Sequence, residues 1–163
     1  MTLKIRIYSD ADRADCHDVY VDSVRNGTAP FYTAEQAHAW APSLTDDEEW
    51  TGRLGTGTTW VAETEDGISG FITLTSDGHL DFFFVRPAAR SAGTAQALYA
   101  TMIEQAQSDG FDRLTTHASH LARRFLEKRG WEVVAEEDVV RNGVVLRRSR
   151  MELNKLADPA TES

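Results

Sequence analysis

Three features of the sequence predict an α/β (α+β) fold, a mixed central sheet of about seven strands with about four helices. From His79 to Gln107 an apolar run rich in strand formers stops at Pro87, crosses a short Arg/Ser/Gly loop and opens into a segment of helical period. Turn signals at Glu65-Asp66-Gly67, Ser76-Asp77-Gly78 and Arg141-Asn142-Gly143 each separate two β-rich runs. The composition, 163 residues with 41% hydrophobic and 26% charged, fits one domain with a sizeable core. Residues 1–154 read as that domain and 155–163, polar and containing Pro159, as a flexible tail.

Taken in order, Leu3, Ile5 and Ile7 alternate with Lys4, Arg6 and Tyr8, the period of a half-buried first strand. Ser9 and Asp10 offer capping side chains to a helix whose Cys16, Val19, Tyr20 and Ser23 face a core, while Asp12, Arg13, Asp15, Asp18 and Asp22 face water. Cys16 lies on the buried stripe and reads as a packed, inert thiol. Gly27 and Pro30 break that helix, Thr33 caps a short one ending at Trp40-Ala41-Pro42, and an acidic stretch at Asp46 to Glu49 precedes Trp50 in a second short helix. Thr58 to Thr64, Ile68 to Thr75 and the Leu80 to Val85 strand form an antiparallel meander. The next helix carries Ala95, Leu98, Tyr99, Met102 and Ala106 on one stripe and ends before Gly110. Arg113 to Ala118 is then a strand parallel to its predecessor, because a helical crossover joins them. Ser119 caps a helix with Ala122, Phe125 and Leu126 inward, and Trp131 to Val140 with Val144 to Leu153 closes the chain as a hairpin.

The formal charge of -9, with a pI near 5.0, argues against a nucleic-acid groove and accommodates a cationic partner more easily. A single cysteine makes no internal disulfide, the N-terminus lacks the apolar core of a signal peptide, and no apolar run approaches the roughly 20 residues that span a bilayer. A cytoplasmic protein with no membrane partner is the expectation.

The turn from Arg90 to Gln96 is the first candidate site. The opening amides of a helix lack intrahelical partners and carry the positive end of its dipole, which suits a phosphate. Gly93 lets the backbone approach a ligand, and small Ser91, Ala92 and Ala95 keep bulk away, although a plain strand-to-helix turn would explain Gly93 as well. No Gly-Lys-Ser/Thr follows and no Gly-x-Gly-x-x-Gly is present, so this is neither a Walker loop nor a dinucleotide fingerprint. The aromatics Phe31, Tyr32, Trp40 and Trp50 either plug one end of the core or wall an acceptor pocket. No close His-x-His or i, i+4 histidine pairing occurs, and no metal is assigned.

Val85, Pro87, Arg90, Gly93 and Ala95 fill, in order, the acyl-CoA motif Val-x-Pro-x-x-Arg/Gln-x-x-Gly-x-Gly/Ala, and in this the chain resembles the GNAT superfamily of N-acyltransferases. The family's helix after the fifth strand reads Asn-x-x-Ala-x-x-x-Tyr-x-x-x-Gly-Phe, matched here by Ser119, Ala122, Leu126, Gly130 and Trp131. The Gln36, Trp40, Ala41, Pro42 stretch with Ala118-Ser119 is similar to a bacterial branch of that superfamily. The resemblance covers the element order from end to end.

The resemblance implies a GNAT fold whose sheet splays between strands 4 and 5, and transfer of an acetyl group from acetyl-CoA to a primary amine of a small molecule or peptide. It implies that Arg90, Ser91, Ala92, Gly93, Thr94, Ala95 and Gln96 hold the pyrophosphate and that Phe83, Phe84 and Val85 offer strand edges to the pantetheine. Asp81 is the implied base, with His79 and His117 as weaker choices. Ser119, a helix cap whose hydroxyl could also reach the cofactor arm, is the second catalytic candidate. Phe31, Tyr32, Trp40 and Asp81 would contact the acceptor. Leu126 replaces the family's proton-donating tyrosine, which leaves a non-catalytic CoA-binding module as the rival reading. A homodimer is allowed.

Overall fold

The computed structural model describes residues 3–27, 57–89, 92–118, 120–141 and 143–154. Strands β1 (Lys4–Ile7), β2 (Gly57–Thr64), β3 (Gly67–Thr75), β4 (His79–Val85), β5 (Arg113–Ala118), β6 (Glu132–Arg141) and β7 (Val144–Asn154) form one seven-stranded sheet in the order β1-β2-β3-β4-β5-β7-β6. Among the described residues there are three α-helices: α1 (Arg13–Gly27), α2 (Thr94–Ser108) and α3 (His120–Glu127). Short 3-10 turns at Asp10–Asp12 and Pro87–Ala89 lead toward the first two. The two short helices expected between Thr33 and Trp50, and the tail at 155–163, lie outside the described residues.

Turn chemistry sets the antiparallel pairs. Gly67 and Gly143 adopt φ of 110° and 78°, a region that L side chains rarely enter, where β2 turns into β3 and β6 into β7. The α2 crossover makes β4–β5 the sheet's one parallel pair. Helices cover both faces of the sheet. On one, α2 and α3 bury Leu98, Met102, Ala106 and Leu126 against Trp60, Ile72, Leu74, Leu80, Leu114, Trp131 and Met151. On the other, Cys16 and Val19 of α1 pack on Val61, Ile68, Phe71 and Phe82. Cys16 is 0% exposed, and burial pushes its thiol up to about 12, which keeps it an inert packing group at neutral pH.

Two expectations for the N-terminal segment are corrected. Ile7 does not face the core but is 58% exposed, because β1 is an edge strand anchored through Leu3 and Ile5. Asp12 does not face water but is only 6% exposed. Its carboxylate takes a bidentate pair from Arg6, Nη1 to Oδ2 at 2.8 Å and Nη2 to Oδ1 at 2.9 Å, and accepts from the Ser9 amide at 2.9 Å. Arg6 also reaches Glu63 on β2 at 3.2 Å, so one guanidinium ties the entry of α1 to two strands. Helical periodicity could not show this, since Asp12 sits in the 3-10 turn before α1 begins.

The Arg6 hydrogen bond is the main cause holding Asp12 below its usual range, so its contribution to stability is full at neutral pH and is lost as pH falls through the depressed folded value. Asp12→Ala should destabilise the fold by about 2 kcal/mol, the scale of charge-assisted hydrogen bonds. Chemical denaturation at pH 7 and again near pH 3 checks this: the difference between wild type and variant should shrink at the lower pH.

Candidate functional site

The pairing of β4 with β5 consists of two residue pairs, His79 with Thr115 and Leu80 with Thr116. Beyond them the strands part. The divergence coincides with a bulge on β4, where Leu74 of β3 pairs with Leu80 and the adjacent Thr73 with Phe82, leaving Asp81 as the extra residue. A bulge bends a strand and increases its twist, which turns β4 away from β5. It also reverses the alternation of side chains. Leu80, Phe83 and Val85 join the core under α2 and α3, whereas Phe82 and Phe84 pack in the α1 cluster.

The parting leaves a cleft of about 50 Å³ lined by Leu80, Asp81, Phe83, Phe84, Thr116, His117, Ala118, Ala122 and Leu126. Phe83 meets Phe125 of α3 edge-to-face at 5.3 Å, and Phe84 meets Tyr20 of α1 at 5.0 Å, so the cleft wall takes residues from both faces of the sheet. Beyond Leu80 and Thr116, β4 pairs only with β3 and β5 only with β7, and each presents a strand edge to the gap. Such edges suit an extended chain that carries amide groups. The expected strand-edge residues divide accordingly: Phe83 and Phe84 line the cleft, while the Val85 side chain packs in the core.

Asp81, Thr116 and His117 supply the polar side chains of the cleft wall. Thr116 Oγ1 donates to the Leu80 carbonyl at 2.7 Å, closing the end where the strands still pair. His117, like His79, was a weaker choice than Asp81 on sequence position, yet the structure brings it into the same cleft as Asp81. Its ring lies 5.2 Å from that of His79, whose Nδ1 is 2.8 Å from Thr115 Oγ1. His117 Nε2 is 3.6 Å from Glu137 Oε1, a contact that would favour the charged ring. Desolvation and then the Arg148 charge oppose it, and together they outweigh Glu137 and hold His117 below its ordinary range. At neutral pH it is therefore a neutral imidazole with a lone pair to offer.

At the other end of β4, Gly93 takes a φ of 82° and starts α2 without a side-chain cap. The first helical bond runs from the Ala97 amide to the Gly93 carbonyl at 3.1 Å, so the amides of Thr94, Ala95 and Gln96 precede the intrahelical ladder. A Cβ on Gly93 would meet nothing within 4 Å among the described residues. Thr94 is 1% exposed and buried in the helix opening, whereas Ala92 and Gln96 are exposed. This is an anion-binding geometry. Arg90, Ser91, Ser119, Phe31, Tyr32 and Trp40, also expected at the site, lie outside the described residues.

Leu126 forms part of the cleft floor and is 1% exposed, so it packs and donates no proton. Tyr99 is near in the fold, but its hydroxyl accepts from Trp131 Nε1 at 2.9 Å and its ring meets Phe125 edge-to-face at 5.7 Å, outside the cleft lining. Among the described residues no group of three or more His, Cys, Asp or Glu side chains is placed to hold a metal ion. No described helix is long and apolar enough to cross a membrane.

Residues 28–153 match the Acetyltransferase (GNAT) domain family. Among solved structures, a GCN5-related N-acetyltransferase of Rhodopseudomonas palustris is similar over 94% of this chain and 96% of its own, with 28% identity and a TM-score of 0.87. PaiA N-acetyltransferase of Thermoplasma acidophilum, solved in complex with coenzyme A, shares 17% identity over 94% of this chain and 99% of its own, with a TM-score of 0.74. An N-acetyltransferase of Staphylococcus aureus Mu50 shares 19% identity over 94% and 99%, with a TM-score of 0.71. No curated protein matches the chain in sequence.

The depressed His117 ionisation can be observed directly. In an NMR titration its imidazole should change protonation below the ordinary histidine value, and Arg148→Gln should move the midpoint upward by removing a neighbouring positive charge. A midpoint that stays put in the variant would exclude Arg148 as a cause.

Proposed function

The chain belongs to the GNAT acetyltransferase family, and from that premise we propose that it transfers an acetyl group from acetyl-CoA to a primary amine by direct attack. The observation that carries the reading is a cleft with free strand edges that opens between β4 and β5 and is lined by both Asp81 and His117. The pyrophosphate of acetyl-CoA would lie on the amides that open α2, with the Arg90 charge as the further contact the family motif implies. The pantetheine amides would bond to the edges of β4 and β5, bringing the thioester into the cleft.

In the reaction the amine nitrogen forms a bond to the acetyl carbonyl carbon, the carbon–sulfur bond breaks, and CoA leaves with the electron pair. An ammonium group has no lone pair, so a base must take a proton before or during attack. Asp81 does this directly or through water, and neutral His117 stands beside the same cleft to relay the proton. The family's tyrosine position is Leu126, and a thiol leaving group with a pKa of about 8.5 needs little acid assistance, so water or the Ser119 hydroxyl protonates it. Leu126 is also the observation that favours the second reading, a CoA-binding module without catalysis. Thiol release across a broad panel of amines separates the two, since the module binds acetyl-CoA and releases no CoA.

Asp81→Asn should lower kcat by about 10² to 10⁴, the usual value of general-base assistance, with acetyl-CoA affinity little changed. Unchanged kcat across pH would remove Asp81 from the mechanism. At the other end of the site, Gly93→Val should weaken acetyl-CoA binding strongly, but its φ of 82° means a β-branched residue also strains the backbone. Gly93→Asn tolerates that conformation and isolates the effect of bulk. Calorimetry should show weaker binding in both variants, and equal affinity in a folded Asn variant would overturn the pyrophosphate assignment.

A further inference from the structure

Arg150 is the exposed Cα partner of His117 across β5 and β7, which puts their side chains on one sheet face. Among the described residues it makes no hydrogen bond or ion pair. Its other cross-strand partner, on β6, is Ala135, too small to cover it. Arg148 lies on the same strand two residues away, and its positive charge also acts on His117. One carboxylate, Glu137, sits between them, 3.6 Å from Arg148 Nη2 and 3.6 Å from His117 Nε2. Both contacts are long, and Glu137 Oε1 and Arg148 Nε are buried with no hydrogen-bond partner. Arg148 lies against Glu137, and Arg113 pairs with Glu152, which faces Glu132, so among the described residues of this face Arg150 is the arginine left without a carboxylate of its own.

Asp81 lines the cleft from β4, and Arg150 on β7 stands outside the lining, next to its His117 wall. Two regular strand spacings are about 10 Å at the backbone, and the parting of β4 from β5 makes the span from Asp81 to β7 longer than that. An extended arginine side chain and a small zwitterion together bridge that distance. We propose that the amine acceptor carries a carboxylate and is an amino acid, with its amine at Asp81 and its carboxylate on the Arg150 guanidinium. The inference rests on the acetyltransferase reading for the position of the amine. Arg suits the task because its planar fork binds a carboxylate through two parallel hydrogen bonds. It adds an anion contact that net charge alone would not assign.

The test measures CoA release with a panel of L-α-amino acids and their matching α-carboxamides, on wild type and Arg150→Gln, together with calorimetric binding of the same compounds to the CoA-loaded protein. In the wild type kcat/KM should favour the free acids. In Arg150→Gln the acid-to-amide ratio should fall about tenfold to a hundredfold, mainly through KM, as expected for loss of one bidentate charged pair, and Arg150→Lys should restore part of it. Acetylation of acids and amides at equal efficiency, with Arg150→Gln silent, would overturn this inference while leaving the transferase reading intact. Acid-selective binding without CoA release would uphold the anion subsite and overturn the transferase reading. Absence of acid-selective binding and of acid-selective turnover would overturn the subsite.

Discussion

Two residue pairs hold β4 to β5, and the organisation of the rest of the site follows from where that pairing stops. A parallel sheet that continued through residues 81–85 would satisfy its own backbone groups and present nothing to a ligand. The bulge at Asp81 prevents this at one residue's expense, because it adds twist to β4 while β3 continues to pair with Phe82 to Val85. The core tolerates the parting because α3 closes one side of it with Phe125, Ala122 and Leu126, and because Tyr20 of α1 packs on Phe84 at the other. The gap is thereby lined with apolar side chains and bordered by free strand edges. Within such a setting a few polar groups have large effects, since lower local polarity strengthens each electrostatic interaction.

The electrostatics of the cleft depend on neighbours on the next two strands, β7 and β6. His117 is held neutral mainly by desolvation, with Arg148 adding to it, and the Glu137 contact at 3.6 Å is too weak a counterweight. A comparable cooperation fixes the opposite edge, where Arg6 joins Asp12 and Glu63 and so positions α1 over β3 and β4. Arg86, just beyond β4, bonds the Ile68 carbonyl and pairs with Asp18 and Asp22 of α1. Acidic residues that periodicity places on a solvated helix face thus anchor the helix to the sheet.

How much of this was legible in the sequence varies with the range of the interaction. Local periodicity and turn residues set the elements: the strands from Gly57 to Val85, the α2 stripe of Leu98, Met102 and Ala106, the β5 boundaries and the Asn142-Gly143 hairpin all follow from patterns within a few residues. The glycine that opens α2 was readable too, because a strand followed by a glycine turn and a helix has one backbone solution that suits an anion. Membership of the GNAT family follows from the same stretch together with the Ala122 to Trp131 motif, and residues 28–153 confirm it. Asp81 could be singled out as a carboxylate on the fourth strand, although nothing in the run HLDFFFV reveals that it is the unpaired residue of a bulge.

What the tertiary structure decided are the facts that depend on register. His117 was a residue near a strand end until the pairing and parting of β4 and β5 put it in the same cleft as Asp81, and Arg150 was one of several arginines in the last strand until β7 set it opposite His117. Asp12 and Ile7 exchanged their expected environments because a 3-10 turn and an edge strand broke the periods that assigned them. A pattern in the chain records which side chains alternate. Which residues of different strands meet is set by pairing and by single-residue bulges, and a shift of one residue there moves every later side chain to the other face.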